Sequence, residues 1–182
     1  MTVSDGPAVA ILTKGDVSLR SIFIGTFTRP NDTTPYASGD VVANATSRPT
    51  ALQFSCSGRS SLGSGVLYGV SRDDQNNPNT PGEFELWLFS ASTTVGNDNA
   101  NANVSWNNLA NLIAVIQLTS STLTNSGSGN AGSRRYQSSS PLGIPFVTDA
   151  SGNLYGALVS KSAYTPIALE IFRFYLKTEM SW

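Results

Sequence analysis

Residues 83–89 read Glu83-Phe84-Glu85-Leu86-Trp87-Leu88-Phe89, a stretch in which acidic and apolar side chains alternate. Successive side chains of an extended chain point to opposite sides, so the two glutamates fall on one face and the apolar residues at 84, 86 and 88 on the other. The pattern predicts a strand with one face in solvent and one face in a core.

Similar short segments recur along the chain, with turn-forming residues between them. They lie at residues 21–28, 39–43, 51–55, 65–71, 112–118, 144–148, 154–160 and 166–177. Short strands separated by Gly, Pro, Ser and Asn are typical of β-sandwiches and barrels, and not of alternating βαβ units. We therefore predict an all-β fold, a jelly-roll-like β-sandwich of nine or ten strands over residues 20–182.

The composition agrees with this fold class. Ser, Thr, Asn and Gly make up 74 of the 182 residues, whereas Lys and Glu, which are common on exposed helices, number only seven. Small polar residues and turn formers on this scale favour strands joined by many loops.

Residues 1–19 differ from the rest of the chain. Their one apolar run is Ala8-Val9-Ala10-Ile11-Leu12, which lies between Gly6-Pro7 and Gly15-Asp16. We predict an extended N-terminal arm that becomes ordered by docking on another surface. The alternative, that this run is one more strand of the domain, fits the same residues.

Three local predictions concern individual elements. Gly152, in the turn at residues 149–153, is suited to a positive φ, so residues 144–148 and 154–160 are expected to pair as a hairpin. Ser105 is a suitable N-cap for one helical turn before the strand at 112–118. The last strand, within 166–177, becomes rich in aromatic residues and is expected to be buried on both sides near its end.

Two loops and the single cysteine complete the structural expectations. Residues 72–82 are rich in Asn, Asp and Pro, and in residues 97–103 Asn alternates with small residues, which predicts two long exposed loops. Cys56 is expected to be a small buried side chain.

Several classes of function are disfavoured by the residues that the chain lacks. It has no His and one Cys, so a Ser-His-Asp triad, a Cys-His dyad, the common zinc sites and an internal disulfide are not available. A net charge of -1 gives little attraction for nucleic-acid phosphates. No apolar run approaches the length of a membrane span and the N-terminal residues are not basic, so we expect a soluble, unprocessed chain that binds neither membrane nor nucleic acid.

Two motifs that suggest catalysis have simpler explanations. Gly127-Ser128-Gly129-Asn130-Ala131-Gly132 matches the dinucleotide fingerprint, but no helix is predicted after it, and we interpret it as a loop. Glu83 and Glu85 could serve as paired carboxylates for glycoside hydrolysis, but a solvated strand face explains them more simply. We predict no enzymatic activity, no metal and no cofactor.

Two binding sites stay open on this reading of the residues. Oxygen ligands for calcium could come from Asp73, Asp74 and Asn76, or from Asp98 with its neighbouring asparagines, but neither loop has EF-hand spacing. Four aromatic residues could form a platform for a sugar ring, although aromatics at strand spacing are more often part of a core. They are Trp87, Trp106, Tyr36 and Tyr68.

Three stretches resemble capsid decoration (cement) proteins of tailed bacteriophages. Residues 28–43 include Pro35-Tyr36-Ala37-Ser38-Gly39-Asp40-Val41-Val42-Ala43, which is similar to the family's "pYaaGDvva" segment. Residues 57–67 resemble a Gly-rich turn that leads into a strand. Residues 84–100 resemble the "L-x-LF…pt…DNa" stretch, with additional asparagines after Asp98. The resemblance covers about residues 20–120.

The resemblance implies a β-rich, oligomeric, non-enzymatic virion protein on the outer capsid surface, with the major capsid protein as its partner. We expect a homotrimer over the junctions between capsid subunits, anchored by Ala8, Val9, Ala10, Ile11 and Leu12 of the arm. Tyr36, Gly39 and Asp40 are assigned to the turn before the second strand. The alternatives are a tail component or receptor-binding module that recognises a host surface glycan, and, as a third class, a lysin or depolymerase.

Overall fold

The computed structural model describes residues 19–56, 62–75, 83–118, 124–126, 133–138 and 141–181. Residues 1–18, which hold the predicted arm, and residues 127–132, which hold the glycine motif, lie outside the described part. The elements are β1 (Leu19–Thr28), β2 (Val41–Val42), β3 (Leu52–Cys56), β4 (Ser64–Gln75), β5 (Phe84–Phe89), α1 (Trp106–Leu109), β6 (Leu112–Leu118), β7 (Thr124–Ser126), β8 (Ser133–Gln137), β9 (Ile144–Val147), β10 (Asn153–Ser160) and β11 (Ile171–Ser181).

All strand pairs are antiparallel, and they join into one sheet. The order is β6-β5-β10-β3-β1-β11-β4-β8-β7; β2 lies beside β3 along one edge of β10, and β9 lies beside β8 along one edge of β4. Because β9 also comes close to β6, the sheet curls round until it is nearly closed. The all-β prediction is confirmed, whereas the jelly-roll-like sandwich and the N-terminal arm stay predictions.

The centre of the sheet is the long pair of β1 with β11, which runs from Leu19 opposite Met180 to Thr28 opposite Ile171. Alternate side chains of both strands enter one core. Its fully buried phenylalanines are Phe23, Phe54, Phe84, Phe172 and Phe174. Each buried side chain of this size stabilises the fold by about 1.5–3 kcal/mol relative to leaving it in water.

Two glycines make room for one of these rings. A Cβ atom built on Gly25 or on Gly156 would lie 2.7 Å from the ring of Phe54, well inside van der Waals contact. Phe54 lies on β3, and the strands on either side of it, β1 and β10, each place a glycine against its ring. The absence of a side chain at these two positions is therefore a packing requirement.

A second, smaller core lies on the opposite face of the sheet. Val41, Phe89, Val95 and Ala157 are buried together there, because the segment at residues 90–104 covers the outer faces of β5 and β10. β5 is thus buried on both sides.

The prediction that Glu83 and Glu85 share a solvated face is wrong. Glu83 is exposed, but Glu85 is buried and bound. Its Oε1 lies 3.0 Å from Nζ of Lys161, and its Oε2 accepts a hydrogen bond from the indole N–H of Trp87 at 3.1 Å.

The predicted hairpin is wrong, although the turn within it is present. Gly152 has φ +79°, and the carboxylate of Asp149 accepts the backbone N–H groups of Ser151 and Asn153. The strands on either side do not pair with each other, because β9 pairs with β4 while β10 pairs with β5, β3 and β2. The turn chemistry is local, whereas the strand partners are set by the core.

The remaining local predictions are confirmed in part. The strand at 112–118 is confirmed as β6, and Ser105 precedes the single turn α1, although its side chain makes no capping hydrogen bond. Cys56 is buried, as predicted. β11 is buried on one face only, because Arg173 and Glu179 on the other face are exposed.

The loop predicted at residues 72–82 is wrong at its start. β4 continues to Gln75, and Arg72 is fully buried with its guanidinium carbon 4.1 Å from the centroid of the Phe84 ring. A buried cation on an aromatic face is a stabilising arrangement that a polar sequence pattern does not reveal.

Candidate functional site

A buried polar cluster, which we call the Arg29 cluster, consists of Arg29, Asp32, Tyr36 and Asp98. Arg29 follows β1 directly, and Asp98 lies in the covering segment, 69 residues further along the chain. Nη2 of Arg29 lies 3.2 Å from Oδ2 of Asp98, and the side chains of the two residues are 0% and 1% exposed. The cluster therefore ties the end of the central strand to the loop over the second core.

Tyr36 stands between the two charged groups. Its hydroxyl donates to Oδ1 of Asp98 at 2.6 Å and accepts the Nε–H of Arg29. The same Oδ1 accepts the backbone N–H of Ala43 at 2.7 Å. The ring of Tyr36 stacks on Tyr164 with 5.8 Å between the ring centroids, so both ends of the side chain are fixed.

The electrostatics of the cluster keep Tyr36 neutral and Arg29 charged. Burial, together with the hydrogen bond to Asp98, raises the pKa of Tyr36 far above its usual value, and the hydroxyl stays protonated. Burial alone would lower the pKa of Arg29, but its interactions with Tyr36, Asp98 and Asp32 raise it. Because these groups bond to one another and to the backbone, the cluster is suited to holding loops together and not to proton transfer or metal binding.

The predicted turn residues lie next to this cluster. Gly39 has φ +97° and donates its N–H to the carbonyl of Ser160 at 2.7 Å. Oδ2 of Asp40 accepts the N–H of Ala37 at 2.6 Å, and the side-chain amide of Asn99 lies 3.1 Å from the same oxygen. Gly39 and Asp40 thus form the turn before β2, whereas Tyr36 belongs to the core.

The aromatic residues considered for a sugar platform are in different surroundings. Trp106, on α1, is 86% exposed, and Tyr36 is buried. Trp87 is half-buried and donates to Glu85. Tyr68 is half-buried on β4. An exposed platform could be built around Trp106 but not around Tyr36.

The calcium candidates are also separated by the fold. Asp98 is held by Arg29, which already neutralises its charge. Asp73 and Asp74 are in β4, and Asn76 lies outside the described residues. Across the described ranges, no three acidic or cysteine side chains come together in a way that would hold a metal ion.

A groove of about 320 Å³, which we call the side groove, opens along β10. Gly156 pairs with Leu52 of β3, and Leu158 pairs with Val42 of β2. Ala157 therefore lies between the part of β10 that pairs with β3 and the part that pairs with β2. The groove opens at this change of partner. Its polar lining comes from Thr26, Asn44, Thr50, Gln53, Thr93 and Thr94.

Large apolar side chains are exposed on the outer face of the central strand. Ile22 and Ile24 of β1 are 50% and 48% exposed. On β11, Lys177 lies opposite Ile22 and the half-buried Tyr175 lies opposite Ile24. We call these four residues the outer strip.

Sequence reasoning missed the pairing of Arg29 with Asp98. The one signal that could have pointed to it is that charged residues are only 13% of the chain, so each charge beside an apolar run is unusual. The chain matches no protein-family model, and no curated protein matches it in sequence. In the part of the chain that the structure describes, no helix has the length and apolar character needed to cross a membrane.

Proposed function

We propose that this protein is a capsid decoration (cement) protein of a tailed bacteriophage, which binds the outer surface of the mature shell as an oligomer and stabilises contacts of the major capsid protein. The proposal begins with the resemblance of residues 20–120. The observation that carries it further is the outer strip, because adjacent half-exposed isoleucines on a rigid strand are suited to a protein interface.

The fold supports a role that depends on rigidity. The central strands are paired over their whole length, and the Arg29 cluster fixes the longest described loop to them. In the proposed trimer, the arm lies across neighbouring capsid subunits with Ala8–Leu12 as its apolar anchor. Binding only to the mature shell stabilises that state by mass action, about 2.7 kcal/mol per site at a hundredfold excess over the dissociation constant.

Copy number tests the proposal directly. The ratio of this protein to the major capsid protein in purified virions can be measured by quantitative mass spectrometry. A decoration protein is expected in hundreds of copies and in a simple ratio to the shell protein. A few to a few dozen copies would place it in the tail and would contradict the proposal.

The role of the arm needs a separate experiment. Replacing Ile11 and Leu12 by Asp removes the apolar character without changing the length of the arm, and is expected to weaken binding to mature capsids at least about tenfold. Thr13→Asp is the matched control, because it adds a charge next to the apolar run and leaves the run intact. Unchanged affinity of the Ile11 and Leu12 variant would remove the arm from the interface.

A tail or receptor-binding role, with a host surface glycan as ligand, is the second candidate. The side groove favours it, because side-chain amides and hydroxyls on an apolar floor are the groups that bind sugars in proteins. Trp106 is not among the residues that line this groove, and offers a separate exposed aromatic face on α1. Low copy number together with loss of glycan binding in Trp106→Ala would support this role over the first.

A further inference from the structure

A second groove, which we call the base groove, lies at one end of the nearly closed sheet. It has a volume of about 880 Å³ and is open to solvent on one side. Its apolar lining comes from β4, β6, β9 and β11. The residues are Val66, Ile113, Pro145, Phe146, Val147 and Met180. Val66 and Val147 are 42% and 50% exposed, so the described structure leaves this apolar surface uncovered.

The groove lies where the sheet fails to close. Among the described strands, β9 pairs only with β4 and β6 pairs only with β5. The N–H of Thr148 donates to the carbonyl of Gly63, so in this ladder the backbone groups of Pro145 and Val147 point away from β4 toward the gap. Pro145 has no N–H, which limits pairing there and leaves apolar contact as the main interaction that the groove offers.

The start of β1 lies at the same end of the sheet as the groove. Leu19 is opposite Met180, Met180 is opposite Gly65, and Gly65 is opposite Phe146. Three steps between neighbouring strands of about 4.8 Å give a path of about 14 Å from Leu19 to the groove. The six residues 13–18 span up to about 20 Å when extended, so the apolar run before them can reach the groove of its own chain.

We propose that Ala8–Leu12 of the same chain docks into the base groove of the free protein and covers its apolar lining. The choice of occupant follows from two observations: this run is the one apolar stretch in the 18 residues that precede β1, and its linker is long enough. A short linker gives an effective concentration in the millimolar range, far above that of a second copy in dilute solution.

Docking of this kind has a consequence for the capsid-binding arm of the proposed function. One copy of Ala8–Leu12 cannot occupy the base groove and a capsid subunit at the same time. Binding to the capsid through the arm would therefore first require the segment to leave the groove, which lowers the apparent affinity in proportion to the fraction docked.

Amide hydrogen exchange of the full-length protein, read by mass spectrometry, tests the inference. In the wild type, the amides of residues 9–12 are expected to exchange at least about tenfold more slowly than in an unstructured peptide of the same sequence. Val147→Glu places a charge in the groove at a half-exposed position and is expected to abolish this protection. Val115→Glu is the matched control: Val115 is a strand valine of similar exposure, 46%, outside the groove lining, and its replacement is expected to leave the protection intact.

A reciprocal variant keeps the test decisive if Val147→Glu does not fold. Ile11→Asp leaves every residue of the described sheet unchanged and is expected to speed exchange at the amide of Val147. An unprotected segment in the wild type, or protection that survives Val147→Glu, would overturn the inference. Protection that disappears on about hundredfold dilution would also overturn it, because the occupant would then be a second copy. These outcomes concern the isolated protein and do not depend on the copy number in virions, so this inference and the proposed function can fail separately.

Discussion

Replacing Asp98 by Asn tests whether the Arg29 cluster holds the covering segment in place. The substitution keeps the shape of the side chain and removes its charge. Arg29 then stays buried, and among the described residues Asp32 is its one remaining charged partner, at 3.4 Å, with a side chain that is 30% exposed. Removing one partner of a buried ion pair costs about 3–5 kcal/mol. Because Asp32 remains, we expect a loss near the lower limit, about 3 kcal/mol in the free energy of unfolding.

Asp32→Asn provides a matched control on the same arginine. Its side chain is partly in solvent, where an ion pair contributes about 0–1 kcal/mol. Both variants can be measured by urea unfolding, followed by tryptophan fluorescence and by circular dichroism, with the slope m as a check on two-state behaviour. If Asp98→Asn is destabilised no more than Asp32→Asn, the buried pair does not hold the loop and the reasoning is refuted.

Three further predictions concern other parts of the molecule. Gly156→Ala is expected to cost about 1–3 kcal/mol, because its Cβ would overlap the ring of Phe54, whereas Gly69→Ala meets its nearest atom at 3.7 Å and is expected to be tolerated; equal stabilities in urea unfolding would contradict this. Burial alone would raise the pKa of Asp149, but hydrogen bonds from the residues that follow it lower this pKa. The contribution of the Asp149 carboxylate to stability is therefore complete above the unfolded-state pKa of about 3.9 and is lost as pH falls below that value. Asp149→Asn should therefore lower stability at pH 7 more than at pH 2, and a difference that does not depend on pH would count against this assignment. Trp106→Ala should leave the unfolding midpoint within error, since the side chain is exposed, and a large drop would show that the ring packs against the domain.

The strands could be predicted because their signal is local. β6 occupies the predicted residues 112–118, and the alternation around Phe84 correctly gives a strand. The turn at 149–153 was found for the same reason, since Gly152 and Asp149 act within a few residues of each other. The alternation of apolar side chains and the position of turn-forming residues thus specify where a strand begins and ends.

The partners of the strands could not be predicted in the same way. β9 and β10 flank a good turn, yet they separate because each is more fully paired elsewhere, β9 on β4 and β10 between β5 and β3. Glu85 is buried and bound by Lys161, a residue that follows β10 and is distant in the sequence. These features depend on contacts between distant parts of the chain, and a hydrophobic pattern of period two does not carry that information.

The segment at residues 90–104 is polar in composition and yet belongs to the fold. Its asparagines predicted an exposed loop, but its backbone bonds to residues 39–45: Val41 donates to Ala100, and Asn99 donates to Val41. Pinned there by Asp98, the segment covers the apolar outer faces of β5 and β10. The apolar surface on that side of the sheet is thus buried within the protein. On the outer strip, by contrast, no described segment covers Ile22 and Ile24, so this apolar surface is available to a partner.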